Sequence, residues 1–321
     1  MRTDEENFLE RKNQVNRTFK IALLLLALLI LFLGLNYRQL AAAWTVWSET
    51  TRLTRQALTT SDEFQNPESA EDHFDGGLSP QFWKFTTING AGQVSNDPTW
   101  HAAGMTVEHG LSIQHHPDPD FPNENADLFQ SPAADQYNNV TLIGGGGYRP
   151  TPSSDVVLKF SARVSADFYG SAGVIFQPEG TLQKDGLFVK PFNMFGFAVM
   201  GKGSSVQGIN GPLCYLALNW VPTRVQALPV EARAWHEYEI RLRWIGRTEW
   251  LGIVTVDDTE LCRILLPAFG PLEVQVWSDN ALATQRSRRW WEIAPAIELN
   301  FQDGGEKQFD LGSIWIFAEA R

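Results

Sequence analysis

The segment HEYEIRLRWI, residues 236–245, shows most directly how this chain folds. Every second residue is charged, and the residues between them are apolar. The charged positions are Glu237, Glu239, Arg241 and Arg243. Because successive side chains of a strand point to opposite faces, this pattern predicts a half-buried strand whose charged face meets solvent.

Similar segments recur along the chain after residue 81. Short stretches rich in β-branched and aromatic residues alternate with turn residues, and helical periodicity is nearly absent. The predicted strands are residues 82–88, 104–115, 155–165, 172–177, 195–200, 213–220, 236–245, 250–256, 260–266, 272–277, 296–301 and 310–318. Strands without intervening helices predict an all-β, antiparallel sandwich or barrel. The four glycines at 144–147 predict a flexible loop.

Five segments resemble a known family in their order and spacing. They are FDGGLSPQFWKF (74–85), MTVEHGLSIQ (105–114), WHEYEIRLRW (235–244), VTVDDTEL (254–261) and FDLGSIWIF (309–317). Together they resemble the concanavalin A-like lectin and glucanase domains. The resemblance implies an antiparallel two-sheet jelly-roll sandwich in which one sheet is concave.

The enzymatic branch that the chain resembles most is glycoside hydrolase family 16, which carries Glu-x-Asp-x-Glu or Glu-x-Asp-x-x-Glu on one concave strand. One carboxylate attacks the sugar and another protonates the leaving oxygen. The corresponding strands here, 172–177 and 195–200, contain no Asp or Glu. Glu237 and Glu239 share a face with arginines, so we expect a solvent-exposed charge ladder there. The chain is therefore expected to bind without catalysis, and a diverged hydrolase or lyase is an alternative.

One sheet face is the candidate binding site. Sugar recognition uses flat aromatic rings flanked by amide and carboxylate groups. Strand parity and strand ends select Gln177, Tyr215, Asn219, Gln275, Trp277 and Asp279. We expect a polysaccharide or surface glycan to bind these residues on the concave sheet. In the alternative interpretation, Tyr215 and Trp277 pack under loops with their polar atoms satisfied.

Two further predictions concern a metal ion and the cysteines. The resemblance implies a structural Ca²⁺ between the first and last strands, where Asp75 and Asp310 offer oxygen ligands. The alternative is two ordinary surface carboxylates, and no other cofactor is expected. Cys214 and Cys262 both lie in apolar strand-like segments. An exported domain permits a disulfide between them, but we expect two buried free thiols.

Residues 21–35 form an uncharged run of nine Leu, two Ile, two Ala, one Phe and one Gly. The run predicts a transmembrane signal anchor over residues 21–37. Basic residues are concentrated before it, which places residues 1–20 in the cytoplasm and the large domain outside the cell membrane. Residues 38–73 are predicted to be a helical stalk and acidic linker, and residues 74–321 the sandwich ectodomain. A cleaved signal peptide ending near the alanines at 41–43 is the alternative.

The charge balance argues against a nucleic-acid partner. Residues 1–60 hold 8 Lys or Arg and 5 Asp or Glu, so residues 61–321 carry 18 basic and 32 acidic residues, a net charge of −14. The stretch RSRRWW at 286–291 is an exception, and one of its tryptophans is expected to mark a contact patch for a protein or a lipid headgroup. A structural or interaction subunit of an envelope complex is therefore a further alternative function.

Overall fold

Most of the described residues after 69 form β-strands. The structure, a computed structural model, describes residues 4–37, 40, 44, 64–85, 87–88, 94–95, 105–107, 109–114, 140–179, 193–202, 204–218, 221–279, 281–285, 289–291, 297–301 and 308–321. Contacts divide the chain into two units, one containing Met1–Trp44 and Ser287–Ala296, the other containing Thr45–Arg286 and Ile297–Arg321.

The elements follow one another along the chain as one helix and a series of strands. The first are α1 (Asp4–Leu35), β1 (Ala70–Asp72), β2 (Trp83–Phe85), β3 (Thr87–Ile88), β4 (Val94–Ser95), β5 (Met105–Val107), β6 (Leu111–Gln114), β7 (Val140–Tyr148), β8 (Ser154–Val164) and β9 (Ser171–Pro178). The rest are β10 (Asn193–Met200), β11 (Gly211–Leu218), β12 (Val221–Ala227), β13 (His236–Trp244), β14 (Glu249–Val256), β15 (Thr259–Pro267), β16 (Leu272–Asp279), β17 (Ala281–Gln285), β18 (Ile297–Phe301) and β19 (Gln308–Ala320).

Two antiparallel sheets build the larger unit. Sheet A has the order β15-β14-β13-β8-β19-β6-β5, and β1 also pairs with β19. Sheet B has the order β12-β11-β10-β9-β16-β7-β2. The pairs β3-β4 and β17-β18 form separate small ribbons. The predicted all-β, antiparallel two-sheet sandwich, the architecture of a jelly roll, is thus confirmed.

The hydrophobic core lies between the two sheets. Alternate residues of β13 in sheet A and of β10 in sheet B enter it, among them Tyr238, Ile240, Phe195 and Phe197. Apolar burial of this extent is the main favourable contribution to folding.

A disulfide crosses this core. Cys214 of β11 in sheet B is bonded to Cys262 of β15 in sheet A, with their Cα atoms 6.4 Å apart. Both residues are buried. The expectation of two free thiols was therefore wrong, because opposite sheets bring together cysteines that lie 48 residues apart in the sequence.

Several strand boundaries differ from the predicted ones. The predicted strand 104–115 is divided into β5 and β6, since His109 and Gly110 turn the chain with positive φ angles of 135° and 134°. Strand β1 lies inside the predicted linker 38–73 and pairs with β19. Strands β7 and β12 were not predicted, and β7 contains the glycines at 144–147. The prediction of a flexible loop at these glycines was wrong.

The smaller unit contains helix α1, which includes the apolar run 21–35. Within the part of the chain that the structure describes, no helix meets the length and apolarity needed to cross a bilayer. Apart from isolated positions, the predicted stalk at 38–60 lies outside the described residues.

Candidate functional site

The face of sheet B that points away from sheet A, called here the outer face, carries the predicted binding residues. Strand parity places Gln177 of β9, Tyr215 of β11, and Gln275 and Trp277 of β16 on it. Asp279 ends β16, but its side chain lies outside the described residues, as does the whole of Asn219. The structure thus brings four of the six predicted residues to one face.

The two aromatic residues of this face are buried rather than presented to solvent. Tyr215 and Trp277 are each 9% exposed, and their rings meet edge to face at 6.2 Å. The Tyr215 hydroxyl donates to Met194 Sδ at 3.2 Å, and Trp277 Nε1 donates to Ser171 Oγ at 3.2 Å. This arrangement matches the alternative interpretation, in which packing satisfies the polar atoms of both rings.

These rings belong to a second hydrophobic cluster, separate from the core between the sheets. It contains Ile175, Met194, Ala198, Met200, Val206, Leu213, Tyr215, Ala217 and Trp277. Val206 belongs to the turn 204–210 rather than to a strand, and Ile209 of the same turn packs against the cluster. The turn therefore covers part of the outer face, so that a flat sugar cannot stack on the two rings as they stand.

Polar side chains gather at the β2 side of the outer face. Gln177 and Glu273 face each other across β9 and β16, and Gln177 Nε2 donates to Glu273 Oε1 at 2.9 Å. Gln177 is 0% exposed and Glu273 2% exposed. Gln177 Oε1 has no hydrogen-bond partner among the described residues. A buried carbonyl oxygen left unpaired costs about 1–3 kcal/mol, which makes this atom the strongest ligand signal on the face.

An ion pair lies over the neighbouring glycines. Lys84 Nζ of β2 is 2.6 Å from Glu179 Oε1, which follows β9. A Cβ on Gly146 would meet these two atoms at 2.5 and 2.9 Å, and one on Gly144 would lie 2.2 Å from the Phe82 carbonyl oxygen. A glycine is required at 144 because the Phe82 backbone approaches β7 closely, whereas the two atoms over Gly146 are the ends of flexible side chains.

We call Lys84, Gln177, Glu179 and Glu273 the polar corner. Glu273 was missed by sequence reasoning, although it has the same strand parity as Gln275 and Trp277. The family motif directs attention to the strands 172–177 and 195–200, and β16 lies outside both. On those strands the outer face of β10 presents Met194, Gly196, Ala198 and Met200, which offer no carboxylate.

The charged face of sheet A is a network of ion pairs, as the alternation in β13 predicted. Glu239 binds Arg241 at 2.8 Å and Lys159 at 3.3 Å. Arg241 also contacts Glu319. These pairs confirm a charge ladder, and they leave Glu239 without the setting of a catalytic acid.

The buried member of this network is Asp155, which is 1% exposed. Arg321 Nε donates to it at 2.7 Å, and Arg243 Nη2 at 2.9 Å. Burial raises the pKa of Asp155, but the hydrogen bonds and charges of these two arginines outweigh it and lower the pKa below its ordinary value. Asp155 is therefore ionised in the folded protein and joins β8 to the C-terminus.

The predicted calcium ligands have other partners or lie in solvent. Asp310 Oδ2 accepts a hydrogen bond from Arg163 Nε at 2.9 Å, and Oδ1 accepts one from Gln308 Nε2 at 2.9 Å. Asp75 is exposed in the turn after β1. Within the described residues there is no group of three or more metal-ligating side chains. These contacts do not fit a calcium site, so calcium at Asp75 and Asp310 stays a prediction from the sequence alone.

A cleft of about 460 Å³ opens where the β8–β9 turn, the end of β10 and the β12–β13 turn meet. Its charged lining is Asp167, Lys202, Glu231 and Arg233. All four side chains are exposed, and their charges balance. The polar corner, with its buried unpaired acceptor, is therefore the better candidate site.

The fold and the polar corner define a two-sheet antiparallel β-sandwich with a hydrogen-bonding cluster on one outer face. Neither a family model nor a curated protein sequence matches the chain.

Several solved structures are similar to it in part. Laminarinase from Flavobacterium sp. UMI-01 is 11% identical with a TM-score of 0.47, and covers 77% of this chain and 98% of its own. The endo-1,3-beta-glucanase from Streptomyces sioyaensis is 10% identical with a TM-score of 0.48, and covers 80% and 99%. An immunostimulatory antigen and pseudo beta-1,3-glucanase of Mycobacterium tuberculosis is 10% identical with a TM-score of 0.45, and covers 78% and 98%.

Proposed function

We propose that this protein is a membrane-tethered, extracytoplasmic, lectin-like module that binds a carbohydrate at the polar corner without cleaving it. The observation that carries the proposal is the unpaired Oε1 of Gln177, which is 0% exposed beside Glu273. A sugar hydroxyl donates to a carbonyl oxygen and accepts from an amine or amide, so in this proposal a polysaccharide supplies the missing donor once the buried side chain of Gln177 has turned outward to meet it.

The rest of the polar corner suits the same ligand. Lys84 and Glu179 are half-exposed, and the glycine backbone of β7 beneath them offers no side chain that would block a ring. Gln275 lies two residues beyond Glu273 on the same face and is partly exposed, so it extends the row of hydrogen-bonding groups. In this proposal Tyr215 and Trp277 support the sheet, and Asn219 and Asp279 remain predicted ligands.

Binding without cleavage is supported by the outer face of β10. The family that the sequence resembles places its acids on such a strand, whereas this chain has Met194, Gly196 and Ala198 there. A Cβ on Gly196 would lie 2.5 Å from the Val174 carbonyl oxygen, so the strand has no room for a longer side chain at that position.

A diverged glycoside hydrolase is the second candidate, because two carboxylates lie on the outer face on neighbouring strands. Glu273 of β16 lies opposite Gln177 of β9, and Glu179 lies two residues after Gln177. Such diagonal positions are about 7–8 Å apart at Cα. The carboxyl groups of paired glycosidase acids are about 5–9.5 Å apart, and this Cα spacing leaves such a separation within reach of the two side chains.

The membrane tether is supported by the sequence of α1 and its surface. Leu25 and Ile30 are 60% and 62% exposed, as are their apolar neighbours to similar degrees. Twelve Leu, Ile and Phe side chains in residues 21–35 favour insertion by about 4–7 kcal/mol. The Cys214–Cys262 disulfide suits an oxidising compartment, which agrees with an extracytoplasmic sandwich.

The test is retention of the full chain in polysaccharide affinity gels, with reducing-end release measured on the same polymers. Gln177→Met removes the unpaired acceptor at nearly constant volume, together with the Nε2 donor to Glu273, so the folded state of the variant is checked by circular dichroism. We expect retention to weaken about five- to tenfold, the worth of one hydrogen bond. Glu260→Gln, an exposed change on sheet A, is the matched control for Glu273→Gln.

The outcomes separate the candidate functions. The lectin-like module is supported if the wild type is retained, Gln177→Met weakens the retention, and no sugar is released. The hydrolase is supported if the wild type releases sugar, Glu273→Gln abolishes the release, and Glu260→Gln preserves it. Absence of both for every polymer contradicts carbohydrate binding and favours the interaction subunit, which crosslinking and pull-down from detergent then test.

A further inference from the structure

The most exposed large apolar side chain in the described part of the chain is Trp290, at 89%. Its ring meets Trp291 edge to face at 5.4 Å, and the guanidinium carbon of Arg289 lies 5.6 Å from the Trp291 ring centre. Exposure of an indole to water is unfavourable. An indole beside an arginine suits a surface that is apolar on one side and anionic on the other.

Asn36 connects this segment to the end of the apolar helix. It is 1% exposed, and its Nδ2 donates to the Phe32 carbonyl and to the Trp291 carbonyl, both at 2.9 Å. The second bond joins residues 255 positions apart in the sequence. The backbone of 289–291 is thereby held beside the first polar residue after the run 21–35.

The position of Asn36 along the helix fixes the depth of this segment if the helix spans a bilayer. From Ile21 to Asn36 the helix rises about 23 Å at 1.5 Å per residue, so Asn36 lies near the outer boundary of a hydrocarbon core about 30 Å thick. Tyr37 and Trp44, 70% and 66% exposed, lie in the same unit after the run. Tryptophan and tyrosine concentrate at this boundary in membrane proteins.

The local charge also differs from that of the rest of the chain. Residues 61–321 carry a net charge of −14, but RSRR at 286–289 holds three arginines in four residues. Arginine binds phosphate through parallel hydrogen bonds, and basic residues near an anionic leaflet gain about 1 kcal/mol each. An acidic chain thus carries a basic, aromatic segment, of which the described residues 289–291 lie beside its apolar helix.

We propose that residues 289–291, called here the Trp foot, are a second membrane contact that takes phospholipid headgroups. The Trp290 ring enters the interfacial layer, and Arg289 binds lipid phosphate. Asn36 holds the Trp foot at that depth. The inference rests on the proposed tether, since the depth argument requires α1 to lie in the bilayer.

The test uses the full chain reconstituted in vesicles of phosphatidylcholine and phosphatidylglycerol. Cys214 and Cys262 are bonded and buried, so a cysteine introduced at one position is the only thiol that a fluorophore can label. Trp290→Cys reports the Trp foot, and Leu28→Cys reports the middle of the helix. Quenching is measured with iodide in water and with spin-labelled lipids near the headgroup or at the bilayer centre.

We expect the label at Leu28→Cys to be quenched from the bilayer centre and the label at Trp290→Cys from the headgroup region, with little quenching by iodide. Adding Asn36→Leu should return the label at 290 to iodide access while leaving the label at 28 unchanged. Adding Arg289→Gln should reduce quenching by the headgroup-labelled lipids in vesicles that contain phosphatidylglycerol.

Two results overturn the proposal in distinguishable ways. If only iodide quenches the label at 290 while lipids quench the label at 28, the Trp foot is disproved and the tether stays intact. A label at 28 that iodide quenches disproves the tether and with it the Trp foot. Unchanged quenching at 290 after Asn36→Leu disproves the role of Asn36.

Discussion

Loss of the Cys214–Cys262 disulfide should strongly destabilise the sandwich, because the bond cross-links the two sheets. The bond closes a loop with a sequence separation of 48. Closing a loop of this length lowers the entropy of the unfolded chain by about 14 cal/mol/K, which corresponds to about 4 kcal/mol at 25 °C. Since single domains unfold with about 5–15 kcal/mol, the loss would remove a large part of the total stability.

The assay is urea unfolding of the full chain in detergent, followed by circular dichroism. Two samples lack the bond: the Cys214→Ala/Cys262→Ala variant, and wild-type protein reduced in urea and refolded with reductant. The reduced wild type retains both sulfur atoms, so it isolates the effect of the bond from the loss of buried volume. A decrease in the free energy of unfolding below about 1 kcal/mol in both samples would refute the chain-entropy reasoning.

Three further predictions concern single residues of the sandwich. Asp155→Asn should cost about 2 kcal/mol, between the values for exposed and buried ion pairs, because it leaves three arginines without their buried carboxylate. In the wild type the pKa of Asp155 is lowered, so the stabilisation by its ion pairs is complete above the ordinary aspartate pKa. It is lost as the pH falls through the lowered pKa of the folded state. Urea midpoints measured against pH for the wild type and for Asp155→Asn check this dependence. Burial raises the pKa of Tyr148 to about 12, so the stability that comes from its neutral form should be present below pH 10 and lost between pH 10 and about 12. Tyr148→Phe should remove this decrease from a plot of unfolding free energy against pH. Gly173→Ala should cost about 1–3 kcal/mol, since its Cβ would lie 2.2 Å from the Trp277 ring, whereas Gly246→Ala, with open space around it, should be nearly neutral in the same urea titration.

The strands whose side chains alternate strictly were predictable from the sequence. In β13, apolar and charged residues alternate without interruption, and the turn at Asp257 and Asp258, with φ of 47° and 62°, ends β14 where the polar pair predicts a turn. Local patterns suffice in such strands because burial on one face and solvation on the other are decided residue by residue.

Strand β7 was not predictable, because four glycines in a row carry no pattern of burial. Its place in the sheet is stabilised by partners distant in the sequence, including Phe82, whose carbonyl oxygen accepts a hydrogen bond from Gly145 N at 2.9 Å. The disulfide escaped prediction for the same kind of reason, since only the stacking of the sheets sets the distance between Cys214 and Cys262.

The sequence predicts which residues of the candidate site share a sheet face, but it does not predict how exposed their side chains are. Parity correctly assigned Tyr215, Gln275 and Trp277 to one face, and it would also have assigned Glu273. The burial of Trp277 depends in part on the turn 204–210, whose residues Val206 and Ile209 have no periodic signature. An unpaired acceptor such as Gln177 Oε1 is a property of the folded protein alone.

The place of β19 in sheet A affects how the protein must be synthesised. This strand pairs with β8 on one side and with β6 and β1 on the other, and Ala320 lies opposite Ser154. The interior of the sheet is therefore incomplete until β19 has left the ribosome. Sheet A cannot be completed as its earlier strands emerge, so the nascent chain has to be kept from aggregating until β19 follows, and losing Gln308–Ala320 would remove an interior strand.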